Sequence, residues 1–332
     1  MQFGSFKLDK AKGLILAHSL KLENLNIRKG TIITQEHINE LVKNNINSIV
    51  CARLSNNDIE ENKAAIIISK SFSHKSLKFS KSKTGRINIF SKYNGLLNYS
   101  INSLMKFNLV DEGIALALLS QNSLVKEKQL IGTLKIIPYS LPRKITTQFN
   151  VLNQFIKVKP IKEKRFALIQ TIFSKTKLSL VNKTLEETKS RVEVLKGNLL
   201  DDVICQHSED ELIKKINLLI KKDIDILLIS CASAVSDRND ILPKSIESLG
   251  GKILHFGMPV DPGNLLILAS LNKKFIIGMP GCARSPSLNG LDLILRMLVV
   301  DIKINKNLIA SLGAGGLLKD TKFRPMPRNN LK

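Results

Sequence analysis

Between residues 166 and 298 the chain alternates short apolar runs with amphipathic stretches, and this alternation constrains the fold more than any other feature. The sharpest run, Ile226-Leu227-Leu228-Ile229, has no polar interruption, as a strand covered on both faces requires. Strands are expected at 166–171, around 203–205, and at 225–230, 252–256, 265–269 and 275–278. Helices are expected at 183–196, where Gly197 ends the run, at 209–220, at 242–249 before Gly250-Gly251, and at 288–299. This β-α-β-α order predicts an α/β fold, a largely parallel sheet flanked by helices.

The preceding half lacks this rhythm. Residues 1–75 read as an N-terminal α/β region with strands at 13–17 and 47–52 and a helix at 35–42 behind Thr34. A second helix is expected at 57–68, where Asp58, Glu60 and Glu61 suit a positive helix N-terminus. Residues 76–156 form a β-rich region, with strands at 87–90, 113–119 and 130–139 joined by Asn, Ser and Gly turns. Together they predict an α+β N-terminal region ahead of an α/β domain at 165–310. The Lys-rich stretch 157–164, with Pro160, reads as a linker. Residues 311–332 read as a C-terminal tail holding Gly313-Ala314-Gly315-Gly316 and Arg324-Pro325-Met326-Pro327-Arg328.

Composition narrows the classes. Hydrophobic residues make up 43% and the mean hydropathy is +0.02, which describes a soluble globular chain. No uncharged apolar run reaches the length of a membrane-spanning helix, and residues 1–12 lack a signal-peptide core. Cys51, Cys205, Cys231 and Cys282 are scattered without a CxxC pair and fit reduced thiols of a cytoplasmic protein. The net charge of +23 invites a nucleic-acid partner. Against that partner, the lysines are spread along the whole chain, aromatics are 5% with no Trp, and no nucleic-acid-binding motif occurs. An anionic small molecule, or simply a solvated basic surface, accounts for the charge.

In a parallel α/β sheet ligands bind at the carboxyl ends of the strands, where loops and helix N-termini supply donors. Three loops fall at such ends. The first, Ser230-Cys231-Ala232-Ser233-Ala234-Val235-Ser236-Asp237-Arg238-Asn239-Asp240, has small residues that admit a close ligand and an Arg suited to phosphate. Asp240 is a candidate ligand for a metal or substrate, or equally a plain N-cap for the following helix. The second, Gly257-Met258-Pro259-Val260-Asp261-Pro262-Gly263-Asn264, is a rigid turn. The third, Gly278-Met279-Pro280-Gly281-Cys282-Ala283-Arg284-Ser285-Pro286, is a Gly-rich strand-to-helix turn with an Arg beside it, which suits an anion. Each alone is an ordinary turn; all three at strand ends of one domain point to a binding site.

These phrases resemble a known family. Residues 166–298 look like the molybdopterin-binding domain shared by molybdopterin adenylyltransferases and molybdopterin molybdenumtransferases. Asp240-Ile241-Leu242-Pro243 is similar to that domain's Asp-Val-Thr-Pro, Asp261-Pro262-Gly263-Asn264 to its Pro-Gly turn, and Met279-Pro280-Gly281-Cys282-Ala283 to its Leu-Pro-Gly-Asn-Pro. The second and third loops resemble most the molybdopterin-binding half of bacterial proteins often fused to a molybdenum cofactor nucleotidyltransferase. Leu16-Ala17-His18-Ser19 and Asp58-Ile59-Glu60-Glu61-Asn62 resemble the opening of the same proteins, so the likeness covers nearly the whole chain.

The resemblance implies molybdopterin as substrate or ligand, with molybdate insertion, adenylyl transfer or delivery of the pterin to a separate nucleotidyltransferase as the activity. It implies Mg²⁺ and a nucleotide triphosphate as co-reactants and a homo-oligomer as the assembly. It implies Asp240 as catalytic residue and metal ligand. Substrate contacts are implied for Thr171, Ser233, Asp237, Arg238, Asp261, Pro262, Gly263, Asn264, Pro280, Gly281, Arg284 and Ser285. Two departures stand out. Ala232 and Ser233 replace the family's Gly-Gly, and Thr171 is followed by Ile172-Phe173-Ser174 where those enzymes carry an acidic pair. A non-catalytic scaffold that binds the cofactor is therefore the alternative reading.

Three further features admit two readings each. Lys183, Glu187 and Arg191 share one helix face, as phosphate-reaching cations or as an exposed ion-pair ladder. His18 follows an apolar strand as a structural residue or a catalytic one. Arg86 in Gly85-Arg86-Ile87-Asn88 resembles a substrate-contacting strand of the molybdenumtransferases, or is a cation on an exposed sheet edge.

Overall fold

The computed structural model describes residues 1–22, 25–151 and 154–318, and the chain divides into two compact units between Pro160 and Ile161. Arg324-Pro325-Met326-Pro327-Arg328 lies outside the described residues.

The second unit carries the alternating pattern. Its elements are β1 (Arg165–Ile172), α1 (Leu178–Val194), β2 (Asn198–Gln206), α2 (Glu209–Ile220), β3 (Ile226–Ser230), α3 (Ile241–Ser248), β4 (Lys252–Phe256), β5 (Ile267–Leu271), β6 (Lys274–Met279), α4 (Gly290–Leu298) and α5 (Lys306–Ser311). They build one six-stranded sheet in the order β2-β1-β3-β6-β5-β4. All five residues of β3 are buried, as its uninterrupted apolar run requires. Ala167, Ile169, Leu227 and Ile229 pack on one face against Leu212 and Ile216 of α2 and Leu242 and Ile246 of α3. On the other face, Gly197 lets the Phe166 ring approach Val192 of α1, since a Cβ there would lie 2.5 Å from the ring.

The sheet is parallel over four neighbouring strands and mixed as a whole. β2, β1, β3 and β6 run parallel, while β5 is antiparallel to both β6 and β4. The reason is local: Asn272 and Lys273 both take positive φ, 49° and 65°, the requirement of a two-residue hairpin turn. Two reversals leave β4 pointing the same way as the parallel four, so β1, β2, β3, β4 and β6 all end on one edge. Beyond Asp301 the chain forms α5, capped by Asn305, before its Gly-rich segment.

The first unit is α+β. One core gathers Phe6, Leu16, Leu41 and Cys51 around the sheet of Gln2–Lys7, Ser48–Arg53 and Ile15–Leu16. Another gathers Phe72, Phe107 and Phe149 beneath the sheet of Ile114–Leu118, Leu130–Ile136, Arg86–Ser91 and Leu77–Phe79.

Four local expectations are corrected. The strand at 13–17 shrinks to Ile15–Leu16, following a turn with Gly13 at φ +80°. Asp58–Glu60 is a strand paired with Ser140–Pro142, and the helix begins only at Glu61, capped by the Glu60 carboxylate accepting from Lys63 N–H. The first half of the expected linker, 157–160, belongs to a strand, Ile156–Pro160, paired antiparallel with Gly95–Tyr99, and only 161–164 is irregular. Arg86 is exposed, but it is not on a free sheet edge: it pairs with Lys135 on one side and by an isolated bridge with Lys83 on the other, and Leu77–Phe79 flanks only Ile89–Ser91 of the same strand.

Candidate functional site

The three motif loops leave the carboxyl ends of β3, β4 and β6, hence the same edge of the sheet. Loops one and three are tied directly, the Arg284 guanidinium donating to the Cys231 carbonyl at 3.0 Å. Loop two is tied to the start of α4, with Gly290 N–H donating to the Pro262 carbonyl at 2.9 Å. Gly263 permits that contact. Its φ is +132°, and a Cβ there would lie 2.3 Å from the Gly290 nitrogen.

Thr171, at the end of β1, is 4% exposed, and its hydroxyl accepts from Ala232 N–H at 2.8 Å, pinning the small-residue loop. The same oxygen lies 2.8 Å from Nδ1 of His207, the residue that follows β2. Burial holds the His207 ring below its ordinary pKa, opposed by the nearby Asp240 carboxylate. With the ring neutral and Nδ1 unprotonated, the Thr171 hydroxyl donates to it.

A small cavity of about 40 Å³ opens beside Thr171, lined also by Thr184, Ser230, Ala232 and Arg284. Arg284 Nε is buried and has no hydrogen-bond partner among the described residues. An unpaired buried cationic N–H is costly and is expected to meet an acceptor in use. This is the strongest anion signal of the site. Cys231, beside it, is no candidate nucleophile, since burial pushes its thiol up to about 12.

Asp240 is the N-cap of α3, accepting from Ile241 N–H at 2.7 Å. Asp237 accepts from Asn239 N–H at 2.7 Å within the same loop. The Arg238 guanidinium lies over the Phe256 ring at the end of β4, 5.5 Å from its centroid, and Ser233 is exposed. Asp261, Asn264 and the neighbouring Gly-rich segment line a cavity of about 370 Å³. Pro280 leads into a single turn, Gly281–Arg284, where Gly281 is exposed with open space around its Cα. The Ser285 hydroxyl turns to Ser287 at 3.2 Å.

Among the described residues, no three His, Cys, Asp or Glu side chains form a metal-holding group. Asp240 therefore has no partner set for a metal held by the protein alone, and the feature beside it is the unpaired Arg284 Nε. Arg191 is also reassigned. It is 8% exposed and donates to the carbonyls of Glu187 and Ala283 at 3.1 and 2.7 Å, to the Ser285 carbonyl, and to Asp292 at 3.1 Å. It therefore clamps α1 to loop three and α4, and it is neither an exposed ladder residue nor a free phosphate cation. His207, Asp292 and Gly290 belong to the site region and escaped the sequence, while Gly313–Gly316, legible only as part of a C-terminal tail, lines the loop-two cavity. Of the first three, His207 alone left a trace in the sequence, as a histidine between a polar strand and a helix.

No family model matches the chain, and no curated protein matches it. Among solved structures it is similar to a molybdenum cofactor biosynthesis protein B, at 14% identity over 46% of this chain and 93% of that one, with a TM-score of 0.29. It is also similar to the molybdopterin biosynthesis MoeA protein from Pyrococcus horikosii, at 13% identity over 73% of this chain and 79% of that one, with a TM-score of 0.31. Likenesses of this size assign no activity to the chain.

Proposed function

We propose that this protein binds molybdopterin as a step of molybdenum cofactor biosynthesis, seating the pterin's phosphate at the edge where the three motif loops meet. The single observation that carries this reading is Arg284: its buried, unpaired Nε lies beside Thr171 and Ser230, in loops whose sequences resemble molybdopterin-binding motifs. Of the activities the family offers, delivery of the bound pterin to a separate nucleotidyltransferase is favoured over molybdate insertion or adenylyl transfer. Thr171 is followed by Ile172 and Phe173 in place of an acidic pair, and its hydroxyl is occupied by Ala232 and His207. A cytoplasmic setting agrees with four free cysteines, and no described helix is long and apolar enough to cross a membrane.

The test has two arms. Mass spectrometry of small molecules that co-purify with the protein should find molybdopterin or its oxidised product. Incubation with molybdopterin, ATP and Mg²⁺ should yield no adenylylated pterin. Formation of that product would replace the delivery reading with a transferase, and the absence of any bound pterin would remove the function altogether.

A further inference from the structure

Asp261 is an exposed carboxylate in a chain with 51 Lys and Arg against 28 Asp and Glu. Among the described residues no lysine or arginine pairs with it and no donor caps it. Its backbone, by contrast, is fixed: Asp261 N–H donates to the Gly316 carbonyl at 2.8 Å, which pins the C-terminal Gly-rich segment to loop two. The cavity of about 370 Å³ at this junction is lined by Asp261 and Asn264 of loop two and by Gly313, Gly315 and Gly316 of the Gly-rich segment. That is ample for a flat bicyclic ring.

The lining combines two chemistries. The glycines carry no side chains, and although Gly313 and Gly316 back onto Pro259, an added Cβ at Gly315 would meet nothing within 4 Å, so a planar ring can lie against that residue. Leu318, 65% exposed, supplies apolar cover at the rim. Loop two offers, in Asp261, an acceptor with two oxygens and, in Asn264, an amide that can donate. A ligand complementary to this pair presents two parallel N–H donors on one planar edge with a carbonyl beside them. A carboxylate meets such a pair with two parallel hydrogen bonds, as it meets a guanidinium.

We propose that this cavity recognises the aminopyrimidinone edge common to pterins and guanine, with Asp261 accepting from the ring N–H and the exocyclic amino group. The proposal rests on the molybdopterin reading above and gives its ring a seat distinct from the phosphate cradle at Arg284. A solvated turn carboxylate, the plain alternative, would show no preference among pteridines.

The experiment titrates the full chain with fluorescent pterin-6-carboxylate and with lumazine-6-carboxylate, whose carbonyl replaces the amino group. Wild type should bind the pterin about 10-fold or more tightly than the lumazine, because a carbonyl set against the carboxylate replaces attraction with repulsion. Asp261→Asn should close that gap at unchanged melting temperature. Competition by guanosine but not adenosine would identify a nucleoside as an additional source of the edge, and no competition by either would identify the pterin alone. Equal binding of pterin and lumazine by wild type, a gap that survives Asp261→Asn, or no pterin binding at all would overturn the proposal. Molybdopterin co-purifying with both wild type and Asp261→Asn while no gap exists would overturn this seat and leave the broader function standing.

Discussion

The Thr171 hydroxyl and His207 Nδ1 lie 2.8 Å apart, joining the ends of two neighbouring parallel strands directly beneath the small-residue loop. Because the same hydroxyl accepts from Ala232 N–H, one buried side chain couples β1, β2 and the loop after β3. Thr171→Ala removes an acceptor from a backbone N–H and a partner from the ring. It should cost about 1–3 kcal/mol in urea unfolding, whereas Thr171→Ser should restore most of that loss.

The His207 ring also gives a pH signature. Its folded pKa is depressed below the ordinary 6.5, chiefly by burial. As the pH falls, the unfolded chain therefore takes up this proton first. The stability carried by the neutral ring is full above about pH 6.5 and is lost as the pH falls through that value toward the depressed one. His207→Gln, which does not titrate, should lose less melting temperature than wild type on going from about pH 7.5 to about pH 5.5. The slope left in the variant belongs to groups such as His74 and His255, which are depressed in the same direction. Parallel curves for the two proteins would show that His207 is not the titrating group.

Arg191 should behave as a structural clamp. Removing it takes the guanidinium from Asp292 Oδ1 and from the carbonyls of Ala283 and Ser285, leaving Asp292 only the Asn289 N–H on Oδ2. Arg191→Met should cost about 3–5 kcal/mol, the range for breaking a buried ion pair by deleting one partner. Arg191→Lys should recover little, because one ammonium does not reproduce a planar fork of donors. Urea denaturation of the three proteins measures this, and a drop near zero would return Arg191 to the list of free cations.

The strands and helices that were legible in the sequence owe it to local rules. Ile226-Leu227-Leu228-Ile229 needs no partner to be recognised as a buried strand, and Asp240 ahead of Ile241-Leu242-Pro243 reads as a cap from composition alone. Asp58–Glu60 was hidden because its extended form depends on Ser140–Pro142, far along the chain, while its acidic residues mimic a helix start. The helix that carries Arg191 is legible locally, but the burial of its side chain depends on Ala283, Ser285 and Asp292 in a later segment. The antiparallel direction of β5 is local in origin, because Asn272-Lys273 between two apolar runs carries a hairpin signal. For the site, the loops were legible as phrases, whereas the unpaired Arg284 Nε and the Thr171–His207 contact exist only once the strands are assembled.

Two glycines of the site should respond in opposite ways. Gly263→Ala drives a Cβ into the backbone of Gly290 at a left-handed φ and should cost about 2 kcal/mol or more in stability. Gly281→Ala adds a methyl group in open space and should change stability by less than about 0.5 kcal/mol. If a ligand approaches the loop backbone at Gly281, the second variant alone should lose pterin affinity at constant melting temperature. Unaltered affinity would place the ligand away from that turn.

Asp240 separates capping from binding. Its carboxylate accepts from Ile241 N–H, and Asn caps a helix about as well as Asp, so Asp240→Asn should leave α3 and the melting temperature nearly unchanged. The substitution does remove a negative charge that the His207 ring senses at the edge of the sheet. If that charge meets the pterin or a metal ion carried in with a nucleotide, affinity should fall about 10-fold or more, about 1.4 kcal/mol, without a matching loss of stability. Asp237→Asn is the internal control, since that carboxylate serves the loop's own Asn239 N–H. Binding measured by titration, with melting temperature read on the same samples, decides the matter. Equal affinity of wild type and Asp240→Asn would reduce Asp240 to the cap its geometry already displays.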